Sequence, residues 1–247
     1  MTATELDERQ LVRAALLDWA GAEDVPGREL ERLLAGIEGS GDGRGPLQDC
    51  FYFFPGLRSQ PWHDPVEYPW VAALEGSFAE IRQEFLTQYQ GGLNRHPEAE
   101  QLAASGAWST YHFYRMAQPF PDHLSSCPAT AAALAQVPGI EGAGMAYFSA
   151  MAPGTTVKPH CGFVNARIRC HLGLVVPPGC WMRVGGERRS WSEGSCLVFD
   201  DSFEHEVQIS DDGYRAVLLL DAWHPDLTPT EIRGLTHLMR TWRELFS

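Results

Sequence analysis

The stretch from Lys158 to Pro177 sets three polar side chains in a row. From Ala166 onward the residues alternate, so Arg167, Arg169 and His171 share one face of a strand and Ile168, Cys170 and Leu172 the other. Two guanidinium groups and an imidazole are costly to bury without anions or hydrogen-bond acceptors. That face therefore looks into solvent or lines a pocket for something negatively charged. His160, after Pro159, begins this polar-faced segment, and His205 begins another strand after an Asp-rich turn. Strand starts are where a barrel mouth places its site, so the two histidines are candidate metal ligands, although their spacing alone is a weak signal. Arg215 follows His205 by ten residues on the adjoining strand, where a hairpin returns it beside the pair. A guanidinium there could fork onto a carboxylate ligand or pair with Asp200, Asp201 or Glu204 of the protein itself. His63, His96, His123 and His237 sit in apparent loops or helices with no partner signal.

The elements that must hold these residues are short strands parted by Pro and Gly. They fall at 144–151, 155–158, 165–176, 180–184, 188–191, 195–199, 205–209 and 214–222, the spacing of an antiparallel barrel or jelly roll. Upstream, Trp108–Tyr114 is β-prone, and one helix carries the stripe Val71, Leu74, Phe78, Ile81 and Phe85 before Gly91-Gly92. Short helices are expected at 28–37 and 129–136, and an amphipathic one over 3–21. A last helix over about 228–245 opens with Thr228 as N-cap and Glu231 completing a capping box. The predicted architecture is mainly β with flanking helices packed on a double-stranded β-helix, a jelly-roll or cupin-like barrel. The Gly-rich run Gly39–Pro46 reads as a linker. Residues 1–45 are therefore a helical appendage, for partner contact or homodimerisation or packed on the barrel, and residues 46–247 form the main domain.

Of 247 residues, 44% are hydrophobic and 21% charged, an ordinary globular balance. The formal charge of −13 argues against nonspecific binding to nucleic acid or anionic membrane, and it makes the basic row at Arg167, Arg169 and Arg215 more informative. The six cysteines form no CxxC pair and read as reduced, packed thiols. The acidic N-terminus is unlike a signal peptide, and no apolar run approaches the roughly 20 residues of a membrane span. A cytoplasmic location is expected.

Several motifs together resemble the aspartyl/asparaginyl β-hydroxylase family of non-haem iron and 2-oxoglutarate oxygenases. They are Pro159-His160-x-Gly162, Arg167-x-Arg169-x-His171-Leu172-Gly173-Leu174, Phe199–Val207 and Trp223-His224-Pro225-x-Leu227-Thr228-Pro229. Upstream, Pro55-Gly56-Leu57 through Pro69-Trp70 and Gly106-x-Trp108-Ser109 are similar too, so the resemblance spans roughly residues 50–240. It implies Fe(II) held by His160 and His205, with Gly162 where most such oxygenases carry a third, carboxylate ligand. Cys161 is not expected to replace it, since the next residue on a strand faces the other way. Asp200 and Asp201 are read as a turn and as acceptors that orient His205. The resemblance further implies that Arg215 and Ser149 hold the distal carboxylate of 2-oxoglutarate, that Arg169 and His171 neutralise its chelating end, and that Trp108 lies nearby. Arg167 would bind the acidic side chain of the substrate.

The implied reaction consumes O2 and 2-oxoglutarate and hydroxylates Cβ of an Asp or Asn residue in a peptide or protein, with succinate and CO2 as coproducts. The family's animal hydroxylases carry a further basic residue just before Gly-x-Trp, whereas Leu102–Ser105 here hold no charge. The long helical-repeat region of those enzymes is absent too. The substrate is thus any peptide or small molecule with an acidic or amide side chain. A free amino acid, a natural-product peptide and, less favoured by the charge, a lipid acyl chain are alternatives. Two other readings compete: a cupin-like metal dioxygenase without 2-oxoglutarate, which has no need of a buried Arg215, and a non-catalytic binding barrel.

Overall fold

The structure, a computed structural model, describes residues 3–38 and 43–246. Gly39–Asp42 of the expected linker lie outside the described residues. The helices are α1 (Ala3–Ala22), α2 (Gly27–Glu38), α3 (Pro69–Gly76), α4 (Phe78–Gly91), α5 (Ala99–Leu102), α6 (Pro121–Ser126), α7 (Pro128–Leu134) and α8 (Pro229–Phe246). The strands are β1 (Trp62–His63), β2 (Asn94–Arg95), β3 (Ala103–Ser105), β4 (Trp108–Arg115), β5 (Gln118–Pro119), β6 (Met145–Met151), β7 (Thr156–His160), β8 (Arg167–Val175), β9 (Trp181–Val184), β10 (Glu187–Arg189), β11 (Cys196–Phe199), β12 (His205–Gln208) and β13 (Arg215–Trp223). The eight strands expected from Met145 onward are all present, each end within two residues of its expected place.

They fold into two sheets. The larger runs β1-β11-β8-β13-β6-β4-β2, with β5 on β4, and the smaller runs β10-β9-β12-β7-β3. From β6 to β13 the chain passes back and forth between the sheets through antiparallel pairings, which makes the barrel a double-stranded β-helix. The space between the sheets is filled by Tyr147, Val157, Met182, Val184, Phe199, Val207, Val217 and Leu219 among others. The outer face of the larger sheet is covered by α3, α4 and α7, through Leu74, Ile81, Phe85 and Leu134 against Phe113, Phe148, Leu172 and Leu218. Strand β13 is consequently buried along all nine residues, which is why its sequence reads as a nearly unbroken apolar run.

The expected helix over the Val71–Phe85 stripe is two helices. Ser77 leaves helical geometry at φ −99°, ψ 12°, and its N–H is shared by the carbonyls of Ala73 and Leu74. The stripe survives the break because both halves pack on one core. The capping box of α8 forms as expected, with Glu231 N–H donating to Thr228 Oγ1 at 3.2 Å and Thr228 N–H to Glu231 Oε2 at 2.8 Å. Helices α1 and α2 share a core with α8 through Val12, Leu16, Leu33, Ile37, Leu235 and Met239, joined by Tyr52, Phe54 and Trp223 of the barrel's flank. The turn into β4 rests on Gly106 at φ +80°, where a Cβ would stand 2.1 Å from Thr155 Oγ1. That tight approach carries the chain into β4 with Trp108 on the inner face. All six cysteines are free, as expected.

Candidate active site

His160 ends β7 and His205 opens β12, and the antiparallel register sets them directly opposite each other. Their ring centroids lie 4.1 Å apart with the planes at 52°. His160 Nδ1 is 2.7 Å from the Lys158 carbonyl and His205 Nδ1 is 2.9 Å from the Phe203 carbonyl. A carbonyl can only accept, so each Nδ1 carries the proton and each Nε2 keeps its lone pair. Burial holds His160 below the ordinary histidine range. Burial, then the charge of His160, push His205 to about 3. Both rings are thus neutral at physiological pH, the form that binds a metal.

The Asp pair does not orient these rings as expected, because backbone carbonyls do. Asp200 instead accepts from Ser202 N–H at 2.8 Å and from Gln48 Nε2 at 3.4 Å. Among the described residues no three His, Cys, Asp or Glu side chains converge as a metal cage. At Gly162, where a carboxylate ligand would be rooted, a Cβ would lie 2.5 Å from the Asp201 carboxyl group. The strand β7 ends at His160, so its alternation does not extend to Cys161, which lines the same cleft as His160.

Deeper in the barrel stands Arg215, 1% exposed and without a carboxylate partner among the described residues. Asp201 and Glu204, its candidate partners within the protein, pair with other arginines. Its Nη1 reaches Ser149 Oγ and O at 3.4 and 3.5 Å, its Nη2 reaches Met151 Sδ, and its guanidinium lies 4.6 Å above the Trp191 ring. Burial lowers its pKa to about 10. Trp108 Nε1–H donates to Ser149 Oγ at 2.9 Å, so the serine accepts from two donors and its own proton is unspent. Trp191 Nε1–H donates to His171 Nδ1 at 3.3 Å. The proton of neutral His171 therefore sits on Nε2, which is buried without a partner, as is Arg215 Nε. Burial, then the Arg215 charge, keep His171 far below its ordinary range. Arg215 Nε and His171 Nε2 are thus buried donors with no acceptor, beside a Ser149 hydroxyl whose proton is unspent.

Arg167 and Arg169 do share the inward face of β8, where Asp201 and Asp221 meet them. Arg169 Nε and Nη1 lie 2.8 and 2.9 Å from Asp221 Oδ1 and Asp201 Oδ2. Burial works against the Arg169 charge, and the two carboxylates overcome it and hold its pKa above the ordinary value. Arg167 touches the same carboxylates only at 3.4 Å each, and its Nε has no partner. The quartet is formally neutral, with Arg169 locked and Arg167 loosely held.

These groups meet at a cleft of about 400 Å³ lined by His160, His205, Arg167, Arg169 and Asp201, by Glu98, Leu102, His112 and Arg115, and by Met239 and Trp242 of α8. Ser149, His171 and Arg215 lie behind and do not line it. Sequence reasoning missed Asp221, which anchors both arginines from inside an apolar strand, and Thr110, whose buried Oγ1 has no partner. It also passed over His96, which stacks on Trp108 at 3.6 Å. His63 is likewise partnered, bonding to Tyr68 Oη at 2.8 Å.

Residues 75–225 match the family model described as Aspartyl/Asparaginyl beta-hydroxylase. The chain is 38% identical over 195 residues to the aspartyl/asparaginyl beta-hydroxylase of Homo sapiens, covering 76% of this chain and 26% of that protein. It is 35% identical over 230 residues to the human aspartate beta-hydroxylase domain-containing protein 1, covering 88% of this chain and 57% of the relative. The chain thus spans less than two thirds of either relative's length. Solved structures similar to it include a DMSP lyase of Ruegeria pomeroyi (TM-score 0.41, 15% identity, 89% of this chain and 94% of that one). A prolyl-4-hydroxylase of Pseudomonas putida is another (TM-score 0.35, 14% identity, 68% and 92%). With its profile matched over most of the barrel, this chain belongs to the aspartyl/asparaginyl β-hydroxylase family.

Proposed function

We propose that the protein is an Fe(II)- and 2-oxoglutarate-dependent hydroxylase acting at Cβ of an Asp or Asn unit. The observation that carries this reading is the pairing of two neutral imidazoles, each with a free Nε2, with two buried donors, Arg215 Nε and His171 Nε2, that have no acceptor. A lone metal site would not need Arg215, and a binding barrel would not need two facing lone pairs. A dicarboxylate that reaches from the histidine pair into the barrel satisfies both.

Iron with 2-oxoglutarate supplies the chemistry, insertion of one oxygen atom of O2 into a C–H bond while the other enters succinate and CO2 is lost. His160 and His205 hold the metal, kept in the right tautomer by the Lys158 and Phe203 carbonyls. Arg215, with Ser149, holds the far carboxylate, and His171 with Arg169 meets the end that chelates the metal. Arg169, fixed between Asp201 and Asp221, presents a guanidinium edge to the cleft. Arg167, held by long contacts, turns toward the substrate's side chain at little cost. Trp108 stacks on His96 and steadies Ser149 through its indole N–H, which closes the site from the β4 side.

The test is metal affinity. With only two protein ligands, the site gains much of its grip from the chelating cosubstrate, so Mn(II) should bind markedly more tightly with 2-oxoglutarate present. His160→Ala and His205→Ala should abolish binding while circular dichroism shows a retained fold. Equal Mn(II) affinity with and without 2-oxoglutarate would count against the reading. A His205→Ala protein that still binds metal like the wild type would remove His205 from the ligand set.

A further inference from the structure

The floor of the cleft is electrically closed, since Arg167 and Arg169 are matched by Asp201 and Asp221. Two further charges of its lining are not matched. Glu98 and Arg115 both line the cleft, and neither side chain makes an ion pair or hydrogen bond among the described residues. From this pair we infer that the cleft reads both charges of an unblocked amino-acid unit, Glu98 taking the ammonium group and Arg115 the α-carboxylate. The inference rests on the reading of the cleft as the substrate's approach to His160 and His205.

Both charges stand on stiff backbone. Glu98 N–H donates to His96 Nδ1 at 3.1 Å, and His96 is fixed in turn by its stack on Trp108 and by its own N–H on the Trp108 carbonyl at 2.8 Å. Arg115 closes β4 opposite Met145, whose N–H bonds Asp221. The next residues, Met116 and Ala117, turn sharply at φ 48° and 59°. Met116 N–H is tied to the Gly144 carbonyl at 2.7 Å, and its own carbonyl accepts from Arg243 at 3.0 Å. The two side chains have not closed on each other within the 4.0 Å of an ion pair. A ligand with one group of each sign gains from both. A residue inside a long neutral chain gains from neither, because its amine and carboxyl are amides. Leu102–Ser105 beside them add no competing charge. A peptide whose target residue is flanked by a basic and an acidic side chain offers the same two charges, and the experiment separates the sources.

The experiment is calorimetric titration of the Mn(II)- and 2-oxoglutarate-loaded protein, without oxygen, by L-aspartate, N-acetyl-L-aspartate, the α-amide of L-aspartate and the doubly blocked compound. Wild type, Glu98→Gln and Arg115→Gln are compared. Acetylation should weaken binding to the wild type by about two- to fivefold, the weight of an exposed ion pair, and leave Glu98→Gln unaffected. Amidation should do the same in the wild type and leave Arg115→Gln unaffected. Capped Lys-Asp-Glu and Ala-Asp-Ala are run beside them. If the charged peptide alone binds, with the same dependence on Glu98 and Arg115, the two groups are supplied by neighbouring residues of a peptide and not by a free amino acid. The inference is overturned if the doubly blocked compound binds the wild type as tightly as L-aspartate, if the charged peptide alone binds, or if no probe binds. Loading of Mn(II) and 2-oxoglutarate is measured first on the same samples. Its failure would overturn the proposed function, whereas intact loading with indifference to blocking would overturn this inference alone.

Discussion

Arg215→Met should make the empty protein more stable and the proposed cosubstrate a poor ligand. The guanidinium pays for full burial without a carboxylate, and its pKa falls from 12.5 to about 10. At about 1.4 kcal/mol per pH unit that is roughly 3 kcal/mol of charge burial, offset in part by the contacts to Ser149 and Met151 and by the face of Trp191. Methionine fills similar space beside Trp191 without a charge. The variant's melting temperature without ligands should rise by several degrees, at about 2–4 °C per kcal/mol for a chain of this size. Its affinity for 2-oxoglutarate should fall by about 2–5 kcal/mol, or roughly thirty- to several-thousand-fold, since a buried carboxylate loses its charged partner. Thermal melts with and without Mn(II) and 2-oxoglutarate read both effects. The wild type should be stabilised by the pair of ligands, and the variant by the metal alone. A variant that melts below the wild type and still responds fully to 2-oxoglutarate would refute the reasoning, and Arg215 would then be a structural residue.

Arg167→Lys should keep the charge balance with Asp201 and Asp221 and most of the stability, yet lose the forked contact to substrate. Substrate oxidation should drop by at least about tenfold while 2-oxoglutarate decay without substrate is spared, read as succinate with and without substrate. Gly162→Asp should not create a third metal ligand, because its Cβ meets the Asp201 carboxyl at 2.5 Å. The expected outcome is a loss of about 1–3 kcal/mol in stability from overpacking and no gain in Mn(II) affinity, checked by melting and titration. Burial pushes Asp200 up to about 7, with the Ser202 hydrogen bonds opposing it. Its folded pKa stands above the unfolded one, so its contribution is intact below about pH 4 and is lost as pH rises through 7. Asp200→Asn should therefore melt above the wild type at pH 8, by an amount that shrinks toward pH 5. An equal difference at both pH values would place the titration elsewhere.

The barrel was legible because its strands alternate between Pro and Gly turns, and its ends were legible to within two residues. The break at Ser77 was not, since the apolar stripe runs across it without interruption and only the local backbone departs from the helix. His160 and His205 could be picked out by their places at strand ends, but the tautomer of each is set by a backbone carbonyl, which leaves no trace in residue identity. Asp221 was hidden in a strand buried on both faces, where periodicity vanishes, and its partner Arg169 is 52 residues away. Asp200 and Asp201 were placed correctly near the site but assigned the wrong partners, because adjacent residues at a turn point to different neighbours. Glu98 and Arg115 stood in segments with no motif, and only the fold brings them to one cleft.

The most direct measurement is reconstitution with Fe(II) and 2-oxoglutarate under anaerobic conditions, followed by air, with aspartate, asparagine and peptides containing them. Succinate and the mass of each candidate substrate are followed together. Succinate formed in step with a gain of one oxygen atom on an Asp or Asn unit, and lost in His205→Ala, is the predicted result. No succinate from protein shown to hold iron at the histidine pair would contradict the account.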